Sequence, residues 1–427
     1  MTLKAKIRGS IRSLSHGPTL AGARRAVRRG LRAVARKPLR VSFFHRVDDP
    51  ESLIVAEALA RLAERYGFSI DLVVVPEPAA DVDPEPDLAM ALARREAAWV
   101  AARYGLPPLP AEIEAPPPAR VRLVQAILLK EAPPDVVFAR AIELGRALFA
   151  GDGEAIAAAA KRYGTAAGPD VSPRLEANYR ALRAVGHYAG ATLIADGEIF
   201  HRVDRMPLFE ARLRRADEPA LFPLVGDEAL SVSIDGPVQA FVSFQCPYSY
   251  LAIARLMRLS ERYGFRIEER PIRPLVMRGL RVPPVKLRYA LVDAAREAQR
   301  HGIPFGPFAE VKDPGVQRAL FVWHEASRAG KGLAFVESAL RGIWSEAADL
   351  EDDGDLFRLA ARAGLDADVV ERALEEREGL ARAEAHREAR RELGLWGVPS
   401  LEVGGIATWG QDRIPLLLER ARSPRLS

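Results

Sequence analysis

A chain of 427 residues with 48% hydrophobic side chains is long enough for two or three ordinary domains, each with its own core. One cysteine excludes any internal disulfide and favours a reducing, cytoplasmic setting, and no apolar run approaches the roughly 20 residues that span a bilayer. The net charge of +5 hides an asymmetry, since the first forty residues carry twelve Lys or Arg and no Asp or Glu, leaving an acidic remainder.

Residues 1–38 read as a basic arm ending in Arg24, Arg25, Arg28, Arg29, Arg32, Arg36 and Lys37. Helical spacing, with Val27, Leu31 and Val34 interleaved, suits either a surface helix packed on the acidic body or contact with anionic membrane or nucleic acid. The arm lacks the apolar centre of a secretory signal.

Residues 39–216 read as a first domain. A short apolar strand at Val41–Phe44, a turn with Pro50, an amphipathic helix and a second strand at Ile70–Val75 form a βαβ unit, which favours a parallel pair. Ala- and Leu-rich helical patterns over about 87–183 follow, with Pro-rich loops at 76–86 and 107–118. Gly190–Arg205 then reads as strand, Gly turn and strand, before a helix near Pro207. Residues 217–237, with Pro219, Pro223, Gly226, Gly236 and Pro237, break periodicity and read as a linker.

Residues 238–427 repeat the plan. Leu62, Ala63, Glu64, Arg65, Tyr66, Gly67 and Phe68 recur as Leu259, Ser260, Glu261, Arg262, Tyr263, Gly264 and Phe265, and the same register aligns Pro50 with Pro247 and Ser52 with Ser249. A later block, Gly190–Arg205, matches Gly397–Arg413. The fold expected is α/β, with each half a split domain holding a helical insertion, the second insertion over about 286–392.

Cys246 falls at or just before the N-terminus of the helix that opens Pro247, Tyr248, Ser249. Unpaired N–H groups and the helix dipole there favour a thiolate, which predicts a lowered thiol pKa; a small buried core residue is the plainer alternative. The stretch Cys246, Pro247, Tyr248, Ser249, Tyr250, Leu251, Ala252 resembles the active-site turn of the DsbA family. It is also similar to 2-hydroxychromene-2-carboxylate isomerases and kappa-class glutathione transferases, in which Ser-Pro-Tyr-Ser is common. Lys286, Tyr289, Asp293 and Arg296, then Gly302, Ile303, Pro304 and Phe305, resemble the isomerase pattern, as do Gly397, Val398, Pro399, Ser400 and Trp409, Gly410, Gln411, Asp412, Arg413.

The resemblance implies tandem thioredoxin-like domains with glutathione as a bound thiol in the C-terminal one. It puts Cys246 against the glutathione sulfur, Ser249 where an oxidoreductase has its resolving cysteine, and Lys286 against glutathione or substrate. It implies a cis peptide before Pro399, with Val398 offering its backbone, and sets Gln411 and Asp412 at the γ-glutamyl end. Plainer readings exist for the same residues. Lys286, Tyr289, Asp293 and Arg296 share one helical face and suit a solvated ion-paired stripe; Asp412 and Arg413 suit helix capping; Trp409 suits packing. Two departures stand out: cysteine replaces the isomerase serine, and the Asn that often precedes the family's Pro-Pro pair is absent before Pro283 and Pro284.

The seven histidines show neither i,i+4 pairs nor cysteine partners, so no metal site is expected, and phosphate-loop and Gly-x-Ser-x-Gly motifs are missing. In the first half Asp49 aligns with Cys246 and Thr192 with Pro399, which reads as a degenerate copy; His45, Asp48, Asp49 and Glu51 form a polar cluster on its turn. The function expected is a glutathione-dependent isomerase or transferase acting on a small electrophile, the halves docked as an internal pseudo-dimer. The rivals are a monothiol disulfide oxidoreductase and a non-catalytic binding or scaffold protein.

Overall fold

The computed structural model describes residues 38–224, 226–227, 230, 233–273 and 282–422. The basic arm expectation, on 1–37, lies outside the described residues. The described chain divides into two compact units, 38–224 and 226–422.

In the first unit β1 (Arg40–His45) leads through a turn into α1 (Pro50–Tyr66) and β2 (Ser69–Val74). Asp49 caps α1, its Oδ1 accepting from the Glu51 N–H at 3.0 Å, and Pro50 occupies the first turn, where no N–H is needed. Gly67 ends the helix at φ 67°, a left-handed conformation that glycine adopts without a Cβ penalty. Five helices follow: α2 (Pro86–Arg103), α3 (Pro118–Leu128), α4 (Pro134–Phe149), α5 (Gly153–Tyr163) and α6 (Gly168–Ala184). The unit closes with β3 (Thr192–Ala195), β4 (Glu198–His201) and α7 (Met206–Leu213).

The second unit has β5 (Val238–Val242), α8 (Pro247–Tyr263) and β6 (Ile267–Pro271). Its helical insertion comprises α9 (Pro284–Arg300), α10 (Asp313–Arg328), α11 (Gly332–Glu346), α12 (Asp353–Arg362), α13 (Ala367–Glu376) and α14 (Leu380–Glu392). It ends with β7 (Ser400–Val403), β8 (Ile406–Trp409) and α15 (Ile414–Arg420). Gly264 closes α8 at φ 77°, so the repeated Arg-Tyr-Gly performs the same turn in both units.

The sheets share one plan, β2-β1-β3-β4 and β6-β5-β7-β8. In each, the first two strands are parallel and the other pairings antiparallel. Alternate residues of a strand point to opposite faces, yet the first strand of the second unit is buried on both: Val238, Ala240, Phe241 and Val242 are all covered by helices. The second unit's core joins this strand to Leu251, Leu256, Trp323, Phe335 and Leu340 from α8, α10 and α11. Residues 243–246 lead directly from the C-terminal end of β5 into the N-terminus of α8, which puts Cys246 at that edge of the sheet.

The segment between the units packs where it is described. Glu210, wholly buried, accepts from the Leu221 N–H at 2.7 Å and the Phe222 N–H at 2.6 Å, while Leu230 joins the second unit's core. The break in periodicity marks a change of unit there, not loose chain.

Candidate functional site

Cys246 is the N-cap residue of α8, with extended φ −107° and ψ 114°. Its carbonyl accepts from the Ser249 N–H at 3.0 Å, starting the helix. Its sulfur lies 3.3 Å from the Val398 carbonyl oxygen, and the Val398–Pro399 peptide is cis, as the resemblance implies. A carbonyl accepts only, so this contact uses the S–H form of the cysteine.

The thiol pKa is not lowered as the helix terminus alone predicts. Cys246 is half-buried, and burial of its sulfur pushes the thiol pKa up. The Ser249 hydroxyl, the Ser249 and Tyr248 N–H groups and the Lys286 charge pull the other way without reversing it. The helix terminus acts in the expected direction, but desolvation of a thiolate outweighs it.

Ser249, wholly buried, accepts from the Ser243 N–H at 3.2 Å. That bond ties the strand exit to the first helical turn and leaves the hydroxyl proton to serve the sulfur. Lys286 sits in the first turn of α9, with its Nζ 5.4 Å from the centre of the Trp396 ring. Trp396 in turn contacts Trp409, ring centres 4.6 Å apart. A Cβ on Gly397 would come within 2.4 Å of the Trp409 ring nitrogen, so only glycine lets the chain pass there into Val398. Cys246, Lys286, Trp396, Trp409 and Val398 therefore form one neighbourhood: a thiol, an ammonium, an aromatic wall and a backbone edge.

The rest of the α9 stripe is not solvated. Tyr289, Asp293 and Arg296 are buried, and Asp293 accepts from the Tyr248 hydroxyl at 2.8 Å and from Arg296 at 2.5 Å. The charged pair thereby anchors the turn that carries Cys246.

Gln411 sits inside a hydrogen-bonded group next to Asp412. Its side chain is wholly buried, accepting from Arg255 at Oε1 and donating from Nε2 to Glu297, 3.1 Å away, and to Asp412. Both ends of its amide are thus held by protein groups. Asp412 is only partly buried, so its carboxylate remains within reach of a ligand. Three further residues lie close by without standing out in the sequence: Trp396, beside Lys286, and the pair Arg255 and Asp227, behind Gln411. Trp396 immediately precedes the Gly-Val-Pro-Ser motif, which could have flagged it, whereas no sequence signal pairs an aspartate in a turn-rich segment with an arginine 28 residues on.

The polar cluster on the turn of the first unit is engaged within the protein. Asp49 caps α1, and burial pushes its carboxyl up to about 6, against the pull of Arg202 and Arg46. His45, buried, contacts Ser52 at 2.9 Å and is pushed down to about 4 by burial, so it stays neutral. Where the second unit has Pro399, the Thr192 hydroxyl meets His187 at 2.9 Å and His201 at 3.0 Å. Among the described residues His324, Glu325 and Glu378 bring possible ligand atoms within 4.8 Å of one another. Glu325 there is already paired with Arg328 at 2.9 Å.

Comparison with known proteins places the family match in the second unit. The family model described as DSBA-like thioredoxin domain matches residues 237–422. A 2-hydroxychromene-2-carboxylate isomerase from Pseudomonas putida is 30% identical over 190 residues, covering 42% of this chain and 91% of the relative. Another from Sphingobium xenophagum is 28% identical, covering 42% and 95%. A solved structure of a 2-hydroxychromene-2-carboxylate isomerase is 27% identical, covers 43% of this chain and 93% of its own, and superposes with a TM-score of 0.38. With the thiol on the helix cap and the strand–helix–strand order around it, the chain belongs, through residues 237–422, to the DSBA-like thioredoxin family.

Proposed function

We propose that the second unit binds glutathione with its sulfur beside Cys246 and acts as an isomerase or transferase on a small electrophile carrying an aromatic ring and a carboxylate. The observation that carries this reading is the Cys246 sulfur, 3.3 Å from the Val398 carbonyl and kept protonated by burial, in a segment 30% identical to an isomerase across 91% of that relative. A protonated thiol is a hydrogen-bond donor. Its one proton turns from the Val398 carbonyl to a second sulfur, the glutathione thiolate, and stabilises it without Cys246 becoming the nucleophile itself. The peptide backbone of the tripeptide runs along Val398, its γ-glutamyl ammonium meets Asp412, and Lys286 with Trp396 receives the carboxylate and ring of the substrate.

The chemistry balances without an oxidant. The glutathione thiolate adds to a conjugated carbon, forming a C–S bond and sending an electron pair to the carbonyl oxygen. In an isomerase the pair then returns and expels the thiolate, so glutathione is regenerated. In a transferase the adduct is protonated and leaves. The reducing compartment that keeps glutathione as a thiol is the one a single-cysteine chain suits. We read the first unit as a degenerate thioredoxin-type copy, supported by the shared strand order and the aligned Asp49, which cannot exchange disulfides.

Cys246→Ser tests this against the monothiol oxidoreductase reading, which the presence of a cysteine where the relatives commonly carry serine favours. A serine hydroxyl donates a hydrogen bond but is no nucleophile for disulfide exchange at neutral pH. The variant should retain isomerase or transferase turnover within about tenfold of native, the span that one altered hydrogen bond covers. Normal glutathione binding with complete loss of every native activity would replace the isomerase reading by the oxidoreductase one.

A further inference from the structure

The matched family segment begins at residue 237, yet a buried cation inside it is neutralised from outside it. Arg255, 2% exposed on α8, makes a two-pronged contact with Asp227: Nε to Oδ2 at 2.8 Å and NH2 to Oδ1 at 2.5 Å. Its other arm donates to the Gln411 backbone oxygen at 2.6 Å and to Gln411 Oε1. A guanidinium only donates, so it dictates which end of the Gln411 amide faces it. The Nε2 end is thereby turned away, onto Glu297 and Asp412. His301 lies 3.7 Å from Asp227 and is pushed down to about 3, chiefly by burial, so it adds no charge to this group at neutral pH.

We propose that Asp227, in the segment joining the two units, is a positioning residue for the ligand site: it holds Arg255, Arg255 orients the Gln411 amide, and that amide aims the Asp412 carboxylate at the γ-glutamyl ammonium. This rests on the glutathione reading and adds a control point upstream of the family domain. The relay acts on one end of the tripeptide. It does not reach the cysteinyl sulfur, which meets Cys246 and Val398 on the other side of the site.

The test is calorimetric titration of the full chain, native and Asp227→Asn, with reduced glutathione and with cysteinylglycine, which lacks the γ-glutamyl group. Asparagine keeps the shape and loses the charge. The expected result is a rise of about tenfold in Kd for glutathione, the strength of one charge-assisted hydrogen bond, with cysteinylglycine unchanged. A variant that only loosens the fold weakens both ligands alike, and that result, or unchanged glutathione binding, overturns the inference. Should the asparagine variant fail to fold, Asp227→Glu keeps the charge and displaces it by one methylene; the same selective weakening, about threefold, is expected, and an unchanged ratio of the two affinities overturns the relay. A native protein that binds neither ligand overturns the glutathione reading itself and the relay with it.

Discussion

At the scale of single residues, placement at a helix N-terminus does not decide the state of Cys246. The dipole and three hydrogen-bond donors favour the thiolate, but the sulfur is enclosed, and an enclosed anion loses more hydration than those groups return. Alkylation rate against pH should therefore give a midpoint above the ordinary thiol value of about 8.5, with the thiol protonated at pH 7. A midpoint below it would restore the nucleophile reading and with it the oxidoreductase. Sequence motifs single out Cys246, Ser249, Lys286, Val398, Pro399 and Asp412 as candidates, because short motifs keep fixed offsets from helix and strand ends. They do not show that Gln411 is buried, since adjacency to Asp412 says nothing of which side chain faces inward. The partner of Gln411, Arg255, comes from 156 residues away and leaves no local trace.

At the scale of elements, both units are legible from the repeat. Proline in the first helical turn and glycine after the last fix the ends of α1 and α8, and these residues recur in register. The insertions are legible as helical but not as separate helices. Their boundaries depend on tertiary packing, such as that around the α10–α11 turn, which periodicity does not encode. Gly397 marks the other extreme, a glycine kept for a close approach and not for its dihedral angles. Gly397→Ala should push Trp409 off Trp396 and lower stability by about 1–3 kcal/mol, the range for overpacking. Indole fluorescence and the melting temperature check it. Gly168→Ala, where a Cβ meets nothing within 4 Å, serves as the control and should leave both unchanged. A silent Gly397→Ala would mean the two indoles do not pack as described.

At the scale of the whole molecule, one strand order is used twice and the proposed chemistry falls in the second unit. The first unit keeps the strand order, the capped helix and the terminating glycine, while its turn carries Asp49 in place of a thiol and Thr192 in place of the proline. Asp227 then shows that the second unit is more than its matched segment. Residues before 237 pack into it and neutralise the buried charge of Arg255, behind Gln411. Because Cys246 is the only cysteine in 427 residues, the site can be followed by thiol modification with no competing signal. The most direct measurement is the rate of Cys246 alkylation in the full chain against increasing S-methylglutathione, a ligand with no free thiol of its own. The account predicts saturable protection, abolished in Asp412→Ala at the same ligand concentrations; an alkylation rate unaffected by S-methylglutathione would contradict it.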